Sequence, residues 1–82
     1  MPIKANSLKR RALKIFRDYG ALNPPAWAAL ANFQPMRSAY SYLLRLHRFG
    51  LLERTWDQSG LLLYSLSERG RLRLRWLSAK ED

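Results

Sequence analysis

The chain has 82 residues, 15 of them Lys or Arg and 6 Asp or Glu, for a formal charge of +9. This length suits one small domain and leaves no room for a second core. With no cysteine there is no disulfide framework and no thiolate metal site, and a single histidine cannot form an imidazole cluster. No apolar stretch approaches the ~20 residues of a membrane-spanning helix. Residues 1–4 lead into polar and basic residues rather than the apolar stretch of a signal peptide, so a cytoplasmic location without membrane attachment is expected. Eleven of the 15 cations are arginine. The forked guanidinium suits phosphate oxygens and guanine edges, so this charge points to a polyanionic partner.

Ser7 or Asn6 can cap a first helix, in which Leu8, Ala12, Ile15 and Tyr19 recur at helical spacing and Phe16 lies beside them. Gly20 supplies its stop. Asn23-Pro24-Pro25 restarts the chain into a short helix to about Asn32, with Trp27, Leu30 and Ala31 expected inside. Pro35 opens a third helix to about Phe49. Met36, Ala39, Leu43 and Leu46 mark its inner face, and Arg37, Ser38, Ser41, Arg45 and Arg48 the other. Gly50 ends it.

The period then changes. Leu51–Trp56 and Leu61–Leu66 read as two strands around the turn Asp57-Gln58-Ser59-Gly60, with Leu62, Tyr64 and Leu66 sharing one face. Ser67 can cap a last helix from Glu68 to about Ala79, in which Leu72, Trp76 and Ala79 form the expected inner stripe. Residues 71–76 also alternate with period two. The cap and the helical propensity of Leu and Arg favour helix. The reading is thus one domain over residues 7–79, with residues 1–6 and 80–82 as flexible termini. Its class is mainly α with a small β-hairpin (α+β), in the order helix-helix-helix-strand-strand-helix.

Three segments carry a resemblance. Ala28-Ala29-Leu30-Ala31 looks like the small-residue second helix of a helix-turn-helix. Residues 43–54, from Leu43 through Gly50 to Arg54, resemble the end of a recognition helix, a glycine corner and a first wing strand. Residues 64–71, from Tyr64 to Arg71, look like a last wing strand entering a closing helix. Together they resemble the winged helix-turn-helix superfamily, and within it bacterial regulators of the MarR and PadR kind. The resemblance implies a transcriptional regulator that binds double-stranded DNA.

The residues support that function independently. A major groove of ~12 Å admits one helix, whose exposed side chains read base edges. The third helix offers Arg37, Ser38, Ser41 and Arg45, with no carboxylate between residues 35 and 49. Lys9, Arg10, Lys14, Arg48 and Arg54 are the expected phosphate contacts, supplying affinity that does not depend on sequence. Solubility alone would also account for a basic first helix. The turn at 57–60 has no Lys or Arg, which argues against deep insertion of a wing arginine.

Trp27, Trp76, Phe16, Phe33 and Tyr64 are expected in the core, and Trp56, Tyr40 and Tyr42 are left open. The scattered carboxylates form no acid–base pair and there is no phosphate-cradling glycine loop, so no enzyme, cofactor or metal is expected. Leu61, Leu63, Leu74 and Leu77 exceed one inner face, and a homodimer interface would bury them. A winged-helix module that docks proteins without a specific DNA target is the alternative.

Overall fold

A computed structural model describes residues 4–81 and the side chains of residues 7–79. The elements are α1 (Lys4–Tyr19), α2 (Pro24–Ala31), α3 (Met36–Arg48), β1 (Leu52–Trp56), β2 (Leu62–Leu66) and α4 (Glu68–Glu81). This is the expected order, and residues 71–76 are helical. α1 begins at Lys4, ahead of the expected cap, so Asn6 and Ser7 lie inside it. The expectation of flexible termini lies outside the described residues at 1–3 and at 82.

Local chemistry sets each boundary. The Asn23 side chain accepts the Ala26 N–H at 2.7 Å and starts α2, with two prolines in the first turn where no N–H is missed. α2 ends at Asn32 in the left-handed region. α3 ends in a paired motif: the Gly50 N–H donates to His47 C=O at 2.8 Å and the Leu51 N–H to Leu46 C=O at 3.0 Å. Gly50 has φ +82°, which its missing side chain permits at little cost. Ser67 joins two helices. Its Oγ accepts the Gly70 N–H at 2.9 Å to cap α4, and donates to the Gly50 carbonyl at 2.6 Å at the end of α3.

The strands pair antiparallel, Leu52 with Leu66 through Trp56 with Leu62. Asp57 organises the turn: its Oδ1 accepts the Ser59 and Leu61 N–H groups, each at 2.9 Å, and the Ser59 hydroxyl at 2.8 Å. These bonds hold its carboxyl below the usual range, the Leu61 N–H contributing most. Leu22 pairs with Tyr64 on the other edge of β2 through two backbone bonds of 2.9 and 2.8 Å. The sequence pattern alone gives no sign of this short third edge.

The core runs from Ala12, Leu13 and Phe16 of α1 through Trp27 and Leu43 to Leu66 and Leu77. Trp27 is its hub. Phe16, Phe33 and Tyr42 lie around it at centroid distances of 6.3, 5.1 and 5.9 Å, and its Nε1–H reaches the Ala12 carbonyl at 3.4 Å. These rings fix α1, α2 and α3 to one another.

The inner face of α4 differs from the expectation. Leu74 and Leu77 are 4% and 3% exposed, whereas Leu72 and Trp76 are 52% and 51% exposed and Ala79 is exposed as well. The stripe is Gly70, Leu74 and Leu77, at i, i+4 and i+7. Gly70 sets it, because a β-carbon there would collide with the Leu51 carbonyl oxygen and crowd the Leu66 Cδ1 at 3.1 Å. The helix therefore lies close against Leu51 on its glycine side and turns Leu72 and Trp76 outward. Leu74 and Leu77 belong to the chain's own core and are not available to a dimer interface. Of the four leucines assigned to one, Leu61 is exposed and Leu63 is half-buried. Trp76 is not a core residue. Tyr19, Leu30 and Met36 are also exposed.

Candidate nucleic-acid interface

α3 is held on two sides. Ala39, Leu43 and Leu46 are buried against the core. His47 Nδ1 lies 2.9 Å from the Leu52 carbonyl, and since a carbonyl only accepts, the proton is on Nδ1. The ring meets Tyr64 edge-on at 6.2 Å, so the half-buried histidine fastens the end of α3 to the hairpin. The outward side of a 13-residue helix about 20 Å long is thereby fixed in direction.

On that side Arg37, Ser41 and Arg48 fall in one line, at i, i+4 and i+11, opposite the buried residues. Arg45 and the half-buried Ser38 lie on one flank and Tyr40 on the other. The four expected base-reading residues are thus brought onto one outward surface. Arg48, expected among the phosphate contacts, shares the line of Arg37 and Ser41. Among the described residues no carboxylate interrupts the surface, and no acidic residue occupies the first turn of α3.

The cations of α1 divide into two groups. Lys14 is exposed, and an open depression of about 460 Å³ is lined by Ser7, Leu8, Arg10, Arg11 and Lys14. Arg10 Nε is buried there without a hydrogen-bond partner. Lys9 lies elsewhere, 5.9 Å over the Phe49 ring and beside Arg69 and Arg73 of α4. The phosphate set expected from sequence is therefore split by the fold.

Arg11, one of the basic residues of the first helix, stands outside the phosphate set expected from sequence. One terminal nitrogen donates to the Ala31 carbonyl at 3.2 Å, at the end of α2. Burial raises the Tyr42 phenol above its ordinary range, while the nearby Arg45 and Arg11 cations pull it the other way. Tyr42 thus marks the seam where the cations of α1 and α3 come together. The signal was weak but present, since Arg11 borders the Leu8–Ala12–Ile15 stripe on the helix.

In the hairpin, Arg54 is exposed and lies 5.9 Å over the Trp56 ring. It is the one cation of the two strands and their turn. Asp57 at the tip is ionised and bound into its own turn, so the tip presents negative charge. Among the described residues no group of three or more His, Cys, Asp or Glu side chains could hold a metal, and no helix is long and apolar enough to cross a membrane.

No protein-family model matches the sequence, and no curated protein matches it. Solved structures do. The chain is similar to a MepR-like protein complexed with pseudoligands, with a TM-score of 0.78 and 21% identity over 89% of this chain and 52% of that one. It is similar to RV1404 from Mycobacterium tuberculosis, with a TM-score of 0.79 and 26% identity over 88% and 50%. It is also similar to a structure described as a "probable transcriptional regulator" from Pseudomonas aeruginosa, with a TM-score of 0.78 and 27% identity over 88% and 55%. The chain spans about half the length of each of these structures. With the element order and the hairpin register described above, the likeness shows that the chain has the winged helix-turn-helix fold.

Proposed function

We propose that this protein is a transcriptional regulator that binds double-stranded DNA, with α3 in the major groove. The observation that carries the reading is the outward surface of α3. It has Arg37, Ser41 and Arg48 in line, Ser38 and Arg45 beside them and no carboxylate, on a helix locked from behind by Leu43, Leu46 and His47. Arginine can donate a forked pair of bonds to guanine, and the short serines let the backbone approach the groove closely. Base reading is assigned to Arg37, Ser38, Ser41 and Arg45. Phosphate binding is assigned to Arg10, Arg11 and Lys14 of α1, to Arg48 at the end of α3 and to Arg54 of the hairpin. The open depression that Arg10, Arg11 and Lys14 line together supports the α1 assignment. The anionic tip at Asp57 favours a wing that lies along the backbone through Arg54 over one that inserts its tip.

The test starts with selection of a site from random duplexes and continues with affinity measurements on that site and on a random duplex. Arg37→Ala and Arg45→Ala are expected to cost roughly 1–3 kcal/mol on the selected site and to relax base preference. Lys14→Ala and Arg54→Ala should weaken both duplexes alike. Four to six phosphate contacts give a log–log salt slope of about −4 to −5. Four variants that behave identically on both duplexes, or affinity indifferent to salt, would reject the reading.

A further inference from the structure

α4 is apolar on two sides. Gly70, Leu74 and Leu77 face the core, and Leu72, Trp76 and Ala79 form a second stripe, at i, i+4 and i+7, on the exposed side. One stripe already satisfies the domain, so the second needs another explanation. Scattered surface leucines are ordinary, but a helical row that includes a tryptophan is a contiguous apolar ridge.

The ridge is edged with cations on both sides. Arg69 and Arg73 border it toward the end of α3, where with Lys9 they surround the exposed Phe49 ring in a cavity of about 180 Å³. Arg73 also lies 5.7 Å over the Trp76 ring and so links that cavity to the ridge. Arg71 and Arg75 border the opposite side, beside a second cavity of about 310 Å³ that Arg17 and Ser78 also line. Among the described residues no carboxylate lines either cavity. The outward acid in the first turn of α4 is Glu68.

We propose that this face docks an acidic amphipathic helix of a partner protein, which would cover Leu72 and Trp76 with its apolar side chains and place carboxylates against Arg69, Arg73, Arg71 and Arg75. Charge decides among the possible occupants. A second copy packed here about a two-fold axis would set four arginines against the same four, with Glu68 the one acid among the described side chains of α4 to offset them, and like charges in apposition oppose association. Duplex DNA would match the arginines, but it would leave an apolar ridge facing a polar, hydrated surface. A helix with apolar residues at i, i+4 and i+7 flanked by Asp or Glu matches both features, and paired helices bury such stripes by ordinary ridge-and-groove packing. α4 is 14 residues long, so the occupant needs three to four turns.

The test uses the full chain and a fluorescein-labelled helical peptide of about 16 residues. The peptide carries Leu at i, i+4, i+7 and i+11, with Glu on both borders of the stripe. One control replaces every Glu by Lys, and another scrambles the acidic peptide so that the apolar stripe is lost. By fluorescence anisotropy the acidic peptide is expected to bind, the scrambled one at least about tenfold more weakly and the Lys peptide not at all. Trp76→Ala and, separately, Arg73→Glu with Arg75→Glu should each weaken binding by about tenfold or more, with circular dichroism showing that both variants keep the helical fold. Absence of binding, or equal binding of the scrambled peptide, would overturn the proposal. So would sedimentation of the chain alone as a dimer that Trp76→Ala dissolves, since a second copy would then be the occupant.

Discussion

α3 and α4 are built from nearly the same residues, leucine and arginine with one or two aromatics, and the fold uses them in opposite ways. The buried residues of α3 lie on a single face. Burying Ala39, Leu43 and Leu46 leaves one possible outward side, and that side is where Arg37, Ser41 and Arg48 stand. α4 has two apolar faces, and nothing in its periodicity chooses between them. The choice is made by Gly70, whose missing side chain lets the helix backbone close on Leu51. A helix with one stripe has its orientation written in its own sequence, whereas a helix with two takes its orientation from what it packs against. The first kind can point a reading surface in a fixed direction, and the second presents a spare apolar face.

The sharpest way to break this comparison is to remove a leucine from each side of α4. Leu74→Ala is expected to cost about 2–5 kcal/mol, because it opens a cavity in the core, whereas Leu72→Ala should stay within about 0.5 kcal/mol. Urea unfolding of both variants measures the difference, and equal costs would refute the assigned orientation. Next in size is Gly70→Ala, expected to destabilise by about 1–3 kcal/mol although alanine is the better helix former. A stabilised variant in thermal unfolding would show that close approach does not orient α4. At the end of α3, Gly50→Ala should cost about 1 kcal/mol through the left-handed backbone. A β-carbon added there would meet only the flexible Arg69 side chain, at 3.3 Å, so denaturant midpoints should show backbone strain without a packing defect.

The smallest effect concerns the turn that separates the two helices. The native Asp57 carboxyl is held below its unfolded value, so its contribution is fully present above the unfolded pKa and is lost as pH falls through the folded one. Amide exchange at Ser59 and Leu61 is expected to lose its protection over that acidic range while α3 and α4 stay protected. Asp57→Asn should make the turn's protection insensitive to that titration. Protection at Ser59 and Leu61 that ignores both pH and the substitution would remove Asp57 as the organiser of the wing.

The element order was legible because local chemistry marks its boundaries: Asn23 before α2, Gly50 after α3, Asp57 to Gly60 in the turn and Ser67 before α4. The exposed side of α3 was legible for the same local reason, since one stripe of apolar residues defines its opposite. What stayed hidden depends on contacts between distant residues. The orientation of α4 turns on Leu51 meeting Gly70, and a search for large apolar residues does not count a glycine as part of a stripe. The seam of Arg11, Tyr42 and Arg45 and the separation of Lys9 from the other α1 cations follow from how α1 crosses its neighbours. The Leu22–Tyr64 pairing joins residues too far apart in sequence for any local pattern to mark.

The central claim is that duplex DNA is met by α3 and not by α4. The most direct measurement is a titration of the isotope-labelled chain with a duplex carrying the selected site, following backbone amide shifts by NMR. The account predicts the largest changes across Arg37–Arg48, with smaller ones at Arg10, Arg11, Lys14 and Arg54, while Leu72–Ala79 stays unperturbed. Changes concentrated on Leu72–Ala79 with α3 silent would contradict it.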